Sequence, residues 1–191
     1  VNWDQVVVVE VDAVRANLAQ QVAWVWTEIP VPVIAALHGA ALGGGLQIAL
    51  GADLRYAHPD TDLSVMEIRY GLIPDMGASQ TLLGLVRADV ARELTWTGRV
   101  VKAPEALALG LVTRVCDDPV AQALESARVI ATRSPSAIRA GKRLLVTAPT
   151  LGPAESFQLE SALQVGIMGS PDQLEATQAT LERREPTFED T

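Results

Sequence analysis

The feature that most constrains the fold is a short apolar run that ends in a glycine-rich turn. Residues 33–37 are typical of a buried strand, and Gly39 breaks the run. Three successive glycines, Gly43 to Gly45, then precede residues 46–50, which can begin a helix. A strand that enters a helix through glycines leaves unpaired backbone N–H groups where an anion can approach closely. The pattern predicts a main-chain anion site, which is an oxyanion hole if the charge develops during a reaction; a tight turn alone explains the same glycines.

Length and charge narrow the class of protein. The 191 residues suffice for one domain with a substantial core, and the net charge of −8 argues against nucleic-acid binding. Residues 29–50 carry no formal charge, but prolines at the start and glycine breaks within argue against a membrane span. The N-terminus lacks the basic region of a signal peptide. We therefore expect neither a nucleic-acid nor a membrane partner.

The cysteine and histidine residues offer little chemistry. A single cysteine, Cys116, excludes an internal disulfide and fits a reducing, cytoplasmic compartment. It lies in a predicted strand, which favours a buried, inert thiol. His38 and His58 are far apart in the sequence, and no His/Cys cluster has metal-ligand spacing. We expect no metal site.

The remaining pattern alternates strands and helices and then becomes helical. Strands are predicted at 6–9, 33–37, 53–57, 62–66 and 111–116. Helices are predicted at 11–26, 46–50, 78–96 with a break near Gly84, 105–109, 119–132, 135–146, 153–168 and 171–184. This order predicts an α/β fold, with an α/β core over 1–133 and a helical region over 134–191 that packs on the core and on neighbouring subunits.

Two acids and one amide are the candidate chemical groups. Glu67 ends a predicted strand, and Asp75 lies in an apolar loop that spans 71–77. Carboxylic acids in apolar surroundings can exchange protons near neutral pH, and two acids in different surroundings can take opposite roles. Pairing with Arg69, or a cap on the helix that begins near residue 77, explains the same acids. Gln47 can orient a carboxylate or a water molecule but cannot titrate.

Residues 32–45 resemble the signature of the crotonase superfamily, the enoyl-CoA hydratases and isomerases. Similar segments follow in the family's order at 52–57, 67–74, 94–99, 103–112 and 182–188, so the resemblance covers 31–188. It implies a crotonase-like spiral of ββα units with a helical C-terminal region. It also implies assembly as a homotrimer or hexamer. A Rossmann dinucleotide site is not indicated, because the glycines lack the G-x-G-x-x-G spacing.

The resemblance implies a site for an acyl-CoA thioester, with CoA as part of the substrate and no separate cofactor. The backbone N–H of Gly44 matches one donor of the oxyanion hole, while Glu67 and Asp75 match acids that move protons. The positions implied to contact substrate are Ala40, Leu42, Gly43, Gln47, Leu72 and Met76.

The acid positions depart from the hydratase pattern. Hydratases of the family use two glutamates, of which the second matches Glu67 and the first falls on Gln47. Asp75 instead matches an aspartate of the dienoyl-CoA isomerases, although those isomerases also carry an acid where Gln47 stands. We interpret the pair Glu67 and Asp75 as favouring an isomerase over a hydratase. The alternative is a non-catalytic acyl-CoA-binding or assembly subunit.

One family motif is not found in the sequence. Family members carry an Ala-Gly-x-Asp-Leu-like motif in a β-rich region ahead of the glycine turn, where it supplies the other oxyanion donor and contacts CoA. Fewer than 30 residues precede Pro30 here. We therefore expect the sequence to be part of a longer chain; the alternative is a protein that has lost half of its oxyanion hole. An intact mass of the protein would test this expectation.

Overall fold

The first helix begins later than its sequence pattern predicts. The computed structural model describes residues 16–188, so the predicted strand at 6–9 and the first residues of the predicted helix at 11–26 lie outside it. Helix α1 spans Leu18–Glu28, and Asn17 caps it. The Asn17 side chain accepts a hydrogen bond from the N–H of Gln20, whose side chain accepts one from the N–H of Asn17. This reciprocal cap fixes the start of the helix at Leu18, so the prediction of helix at residues 16 and 17 is wrong.

The elements follow one another closely along the chain. The strands are β1 Ile34–Leu37, β2 Ala40–Leu42, β3 Leu54–Ala57, β4 Asp62–Ser64, β5 Val101–Lys102 and β6 Arg114–Val115. After α1, the helices are α2 Gly44–Leu50, α3 Ala78–Leu85, α4 Ala88–Thr97, α5 Ala103–Leu109, α6 Pro119–Ala131, α7 Pro135–Thr147, α8 Pro153–Ile167 and α9 Pro171–Glu182. Short 3-10 helices span Glu67–Tyr70 and Ala148–Thr150.

The strands that the structure describes form two three-stranded sheets. One has the order β1-β3-β6 with all neighbours parallel, and the other has the order β2-β4-β5 with β5 antiparallel to β4. The first four strands alternate between the sheets, so the pair β1–β2 is followed by the pair β3–β4, displaced by one strand. Helix α2 follows the first pair and the 3-10 helix at 67–70 follows the second. This arrangement confirms the predicted α/β class.

The core contains side chains from both sheets and from α2. Its apolar side chains include Leu46, Leu50, Leu63, Val65, Leu82, Leu94, Val101 and Leu111, all nearly inaccessible to solvent. Helix α1 packs against the end of α2 at Gly51. A Cβ at Gly51 would lie 2.1 Å from the carbonyl oxygen of Ala23, so only glycine permits this approach of the two backbones.

Two predicted strands are shorter than expected, because the caps of neighbouring helices occupy their ends. The strand predicted at 111–116 is reduced to β6, because Gly110 adopts a left-handed conformation and the N–H of Leu111 donates to the carbonyl of Ala106, which closes α5. The strand predicted at 62–66 ends at Ser64. The helical range 78–96 is divided into α3 and α4 at residues 86 and 87, two residues beyond the predicted break.

Among the last three helices, α7 packs against both α8 and α9. The predicted boundary at residue 133 falls in the short connection between α6 and α7, and the division into two regions stays a prediction. Within residues 16–188, each helix is either too short or too polar to cross a membrane.

One buried ammonium group ties α7 to the first sheet. The Nζ atom of Lys142 donates to the carbonyl oxygens of Trp26 and Val31 at 3.0 and 2.9 Å, and it lies 2.8 Å from Oδ2 of Asp53. The same carboxylate oxygen accepts from the N–H of Val33 at 2.7 Å. The ammonium group of Lys142 therefore joins the end of α1, the segment before β1 and the residue before β3.

We expect Lys142→Met to lower the free energy of unfolding by about 2–4 kcal/mol, because a carboxylate and two carbonyl groups lose their donor. The matched control is Lys102→Met, since Lys102 pairs with Asp62 at 2.8 Å but its side chain is 59% exposed. An exposed pair contributes less than about 1 kcal/mol. Urea unfolding of both variants measures the difference, and equal losses would contradict the anchoring role of Lys142.

Candidate active site

Parallel pairing of β2 with β4 brings the candidate residues together. Leu42 and Ser64 are partners at the ends of these strands, and the N–H of Gly43 donates to the carbonyl oxygen of Ser64 at 2.9 Å. The segments that follow the two strands therefore leave the sheet side by side. One segment begins α2 at Gly44 and the other begins the 3-10 helix at Glu67. The expectation that Glu67 ends a strand is wrong in this detail, because it opens the 3-10 helix.

The glycine turn presents free backbone donors. Gly43 has φ 53° and ψ −122°, a backbone conformation that residues other than glycine rarely adopt. A Cβ at Gly43 would also lie 3.5 Å from Oε1 of Glu67. The N–H of Gly44, the first residue of α2, has no hydrogen-bond partner within the described part of the chain. This is the donor that the family resemblance implies for an oxyanion.

Gln47 is buried at the centre of the site, with 1% of its surface exposed. It lies one turn into α2, where its N–H donates to the carbonyl of Gly43 at 3.0 Å. Its side-chain Nε2 donates to Oε1 of Glu67 at 2.6 Å, and its Oε1 accepts from the N–H of Met76 at 2.8 Å. The amide thereby joins the glutamate to the loop at 71–77.

Glu67 is buried, and its two oxygens differ. Oε1 accepts the hydrogen bond from Gln47, whereas Oε2 is buried and has no partner among residues 16–188. A buried acceptor without a partner costs about 1–3 kcal/mol, and more when it is charged. Such a group in a folded protein calls for an explanation outside stability, such as the binding or transfer of a proton.

Asp75 immediately precedes Met76 but is exposed. It does not cap α3, because the cap residue is Gly77 and no side chain bonds to the helix there. In the part of the chain that the structure describes, no ion pair joins Arg69 to Asp75 or to Glu67. Neither of the structural alternatives for the two acids is therefore realised.

The other residues predicted to contact the substrate differ in their exposure to solvent. Ala40 is exposed and Leu42 is half-buried on β2. Met76 is half-buried, and its sulfur would lie 3.0 Å from a Cβ placed on Gly44. Leu72 is 61% exposed, although its N–H donates to the carbonyl of Glu67.

The structure thus assembles a compact cluster made of Gly43, Gly44, Gln47, Glu67 and Met76. Asp75 and Leu72 lie on the adjoining loop and are exposed. Sequence reasoning missed the backbone of Ser64, which holds the glycine turn against the glutamate. Only the register of β2 against β4 reveals that role, and a lone sequence does not give the register.

Among residues 16–188, the histidine and cysteine side chains do not form a second cluster of this kind. His38 and His58 stack at 4.5 Å between ring centroids at the ends of β1 and β3. Burial raises the pKa of the half-buried Cys116 thiol, which fits an inert side chain. Over residues 16–188, no three His, Cys, Asp or Glu side chains are placed to hold a metal ion. A groove of about 600 Å³ between β1, α6 and α7 has apolar walls, includes Arg133 and Arg139, and contains none of the cluster residues.

Comparison with known proteins identifies similar sequences and structures. The sequence profile of the family described as "Enoyl-CoA hydratase/isomerase" matches residues 4–191. A protein of Bacillus subtilis (strain 168) named "Probable enoyl-CoA hydratase" is 34% identical over 183 residues, which cover 94% of this chain and 70% of that protein. The human mitochondrial Delta(3,5)-Delta(2,4)-dienoyl-CoA isomerase is 34% identical over 160 residues, which cover 82% of this chain.

A solved structure agrees with these sequence matches. The crystal structure of enoyl-CoA hydratase from Bacillus anthracis superposes with a TM-score of 0.86 at 33% identity, and the match covers 89% of this chain and 67% of that one. This chain spans about half the length of the human isomerase, of which the match covers 49%.

We expect Gly43→Ala to lower the free energy of unfolding by about 1–3 kcal/mol, because a side chain strains the backbone conformation at this position. The neighbouring Gly44→Ala is the control, since its Cβ would meet only the flexible end of the Met76 side chain. We expect this variant to lose less than about 1 kcal/mol of its free energy of unfolding. Thermal unfolding of both variants provides the measurement. A larger loss for Gly44→Ala would contradict this account of the turn.

Proposed function

The chain belongs to the enoyl-CoA hydratase/isomerase family, and we propose that it binds an acyl-CoA thioester and shifts a double bond of the acyl chain by proton transfer. The predicted crotonase resemblance and the crotonase-like fold are confirmed by the family match and by the structural neighbours. The finer assignment, an isomerase rather than a hydratase, is our proposal.

One observation carries the proposal: a buried, unpartnered carboxylate oxygen lies beside a free helix N-terminus. Oε2 of Glu67 has no partner in the described chain, and neither has the N–H of Gly44. Gly43, which lies between β2 and Gly44, would carry a Cβ only 3.5 Å from the Glu67 carboxylate. A base and an anion-binding donor thus lie on neighbouring segments of the fold, as enolate chemistry requires.

The free N–H of Gly44 suits the thioester oxygen. Removing a proton next to a thioester moves negative charge onto that oxygen, and a fixed backbone donor stabilises it more in the transition state than in the ground state. The partial positive charge at the start of α2 acts in the same direction. One such donor is typically worth ~10²–10³ in rate.

The proton balance of the proposed reaction involves no further reagent. Oε2 of Glu67 takes a proton from a carbon next to the unsaturated system, and the electron pair of the broken C–H bond passes onto the thioester oxygen. When this enolate collapses, the pair forms a new C–H bond at a second carbon with a proton from Asp75. The double bond has moved and the composition of the acyl-CoA is unchanged, while Glu67 has gained one proton and Asp75 has lost one. Once the product has left, Glu67 releases its proton to solvent and Asp75 takes one from solvent.

The two acids differ in ways that suit these two roles. Glu67 is 9% exposed, so the proton that it receives is shielded from water. Asp75 is exposed, so it can draw its proton from solvent. The bond from Met76 to Gln47 holds the backbone next to Asp75 against the glutamate.

Water addition is the second candidate function, because the Bacillus subtilis relative and the Bacillus anthracis structure are both named as hydratases. Hydration requires one group to activate water and another to protonate the α-carbon. Gln47 occupies the position beside Glu67 from which a second acid could act, and an amide does neither task. For this reason we favour the proton shift.

We also propose that the protein assembles as a homotrimer or hexamer. Helix α8 has no buried residue within the described chain, and it exposes Phe157 and Val165 at 65% and 72%. Apolar surface of this kind supports contact with a neighbouring subunit. The compartment of the protein stays a prediction.

A panel of β,γ-enoyl-, α,β-enoyl- and dienoyl-CoA thioesters, followed by ultraviolet absorbance, tests the proposal. We expect double-bond migration, and we expect Glu67→Gln to reduce kcat by about 10²–10⁴, the usual contribution of a general base. Asp117→Asn, which changes an exposed carboxylate outside the site, should leave turnover unchanged. Binding of acyl-CoA without turnover of any member would favour the non-catalytic alternative.

Reaction in D₂O separates the roles of the two acids. If Asp75 supplies a proton from solvent, the initial product carries one deuterium at the reprotonated carbon. Asp75→Asn should then slow turnover and raise retention of the substrate's own proton on the product, as judged by mass spectrometry at early times. Unchanged turnover and unchanged deuterium content in that variant would remove Asp75 from the mechanism.

A further inference from the structure

The side chain of Met76 has no step in the proposed reaction, yet it lies against the residue that carries the free N–H. A Cβ placed on Gly44 would lie 3.0 Å from Sδ of Met76 and 3.8 Å from its Cε. Apart from the chain neighbours of Gly44 and its own helix, no other atom of the described chain comes within 4 Å of that point. The thioether therefore closes the space beside Gly44, whereas a Cβ on the next glycine, Gly45, would meet nothing within 4 Å.

The backbone of Met76 is fixed, but its side chain can change conformation. The N–H of Met76 donates to Oε1 of Gln47 at 2.8 Å, and Gln47 is buried on α2. The side chain itself is only half-buried. A methionine has three rotatable bonds and a polarizable thioether, so it can fill an irregular gap or withdraw from it. The structure thus places an adaptable apolar wall on a fixed backbone, next to the oxyanion donor that we propose.

Glu67 and Met76 border the glycine turn at different residues. The carboxylate lies beside Gly43, with Oε1 3.5 Å from a Cβ placed there, whereas the thioether lies beside Gly44. The amide of Gln47 separates the two, because it donates to Glu67 with one end and accepts from the N–H of Met76 with the other. A molecule held at the N–H of Gly44 therefore has the carboxylate on one side and the thioether on another.

We propose that Met76 is a specificity-determining residue: its thioether excludes a branch on the acyl carbon next to the thioester carbonyl, so the site selects unbranched acyl chains. In the proposed reaction the thioester oxygen lies at the N–H of Gly44, so the adjoining acyl carbon lies close to the same residue. A methyl branch on that carbon needs the space that the thioether occupies. This inference rests on the proposed function and deepens it by naming the substrate class.

The expected size of the effect follows from the volume of one methyl group. One extra carbon in an apolar pocket typically changes specificity by about 10–200-fold. Because a methionine side chain can partly yield, we expect a value near the lower end of that range. Truncation of Met76 removes the wall but keeps its hydrogen bond to Gln47, since that bond uses the backbone N–H. The role of the thioether can therefore be tested with the polar contacts of the cluster intact.

Calorimetric titration of the complete protein with hexanoyl-CoA and 2-methylhexanoyl-CoA tests the inference without turnover, because neither thioester has an acyl double bond to shift. We expect the wild-type protein to bind hexanoyl-CoA at least about 10-fold more tightly than the branched thioester. In Met76→Ala the two dissociation constants should agree within about 3-fold, because the branched thioester gains affinity. Met76→Leu keeps an apolar side chain of similar size and should retain the preference.

Met66→Ala is the matched control. Met66 also borders the turn, with Cγ 3.5 Å from a Cβ placed on Gly43. The N–H of Gly43 is already donated to the carbonyl oxygen of Ser64, so no thioester oxygen is expected there. The same truncation at this position should leave the preference for hexanoyl-CoA unchanged. Thermal unfolding establishes that each variant is folded.

The outcomes separate the inference from the proposed function. If hexanoyl-CoA binds but no unsaturated thioester is isomerised, the proposed reaction is wrong, whereas the ratio of the two dissociation constants still decides the role of Met76. Equal affinities in the wild-type protein, or an unchanged ratio in Met76→Ala, overturn the inference and leave the proposed function standing. An equal loss of affinity for both thioesters in Met76→Ala indicates a merely structural role and also overturns it. If the wild-type protein binds neither thioester, both proposals are wrong.

Discussion

A single backbone hydrogen bond, from the N–H of Gly43 to the carbonyl of Ser64, organises the rest of the site. It closes the parallel ladder of β2 and β4 at the point where both strands end. Whatever follows Ser64 must then lie against whatever follows Gly43, which places Glu67 beside the start of α2. A slip of one residue would turn each side chain to the opposite face of the sheet. The chemistry of the site therefore depends on strand register before it depends on any side chain.

The cluster handles buried charge without a buried counter-cation. In the part of the chain described here, Glu67 has one neutral donor on Oε1 and none on Oε2, so its charge is only partly compensated. The associated cost of about 1–3 kcal/mol is tolerable against a typical total stability of 5–15 kcal/mol. Elsewhere the buried cation Lys142 has a structural role, since it donates to two carbonyl groups and to Asp53 at once. The first sheet is anchored by this cation, and the end of the second sheet positions Glu67, the base that we propose.

Much of the architecture follows from local sequence chemistry, and the failures have local causes. Proline and glycine at helix ends gave α5, α6, α7 and α9 close to their predicted bounds. The sequence pattern does not predict the short β2, because residues 40–42 directly precede the glycines and their pairing partners lie 22 positions away along the chain. The predicted strand at 111–116 is too long, because Leu111 and Val112 are buried in the core without pairing to a neighbouring strand. Local sequence patterns indicate which residues are buried, but the pairing of strands depends on segments that are distant in the sequence.

The sequence by itself determined the kind of chemistry: glycines that expose backbone donors, an acid at 67 in apolar surroundings, and an amide at 47 that cannot titrate. Its resemblance to a family supplied the class of substrate to expect. Only the tertiary structure decided that Gln47 donates to Glu67 and accepts from Met76, and that one carboxylate oxygen is left without a partner. It also decided that Asp75 is exposed while Glu67 is buried. The physical reason is that hydrogen-bond direction and burial are properties of contacts between segments 20 to 29 residues apart, which no local pattern encodes.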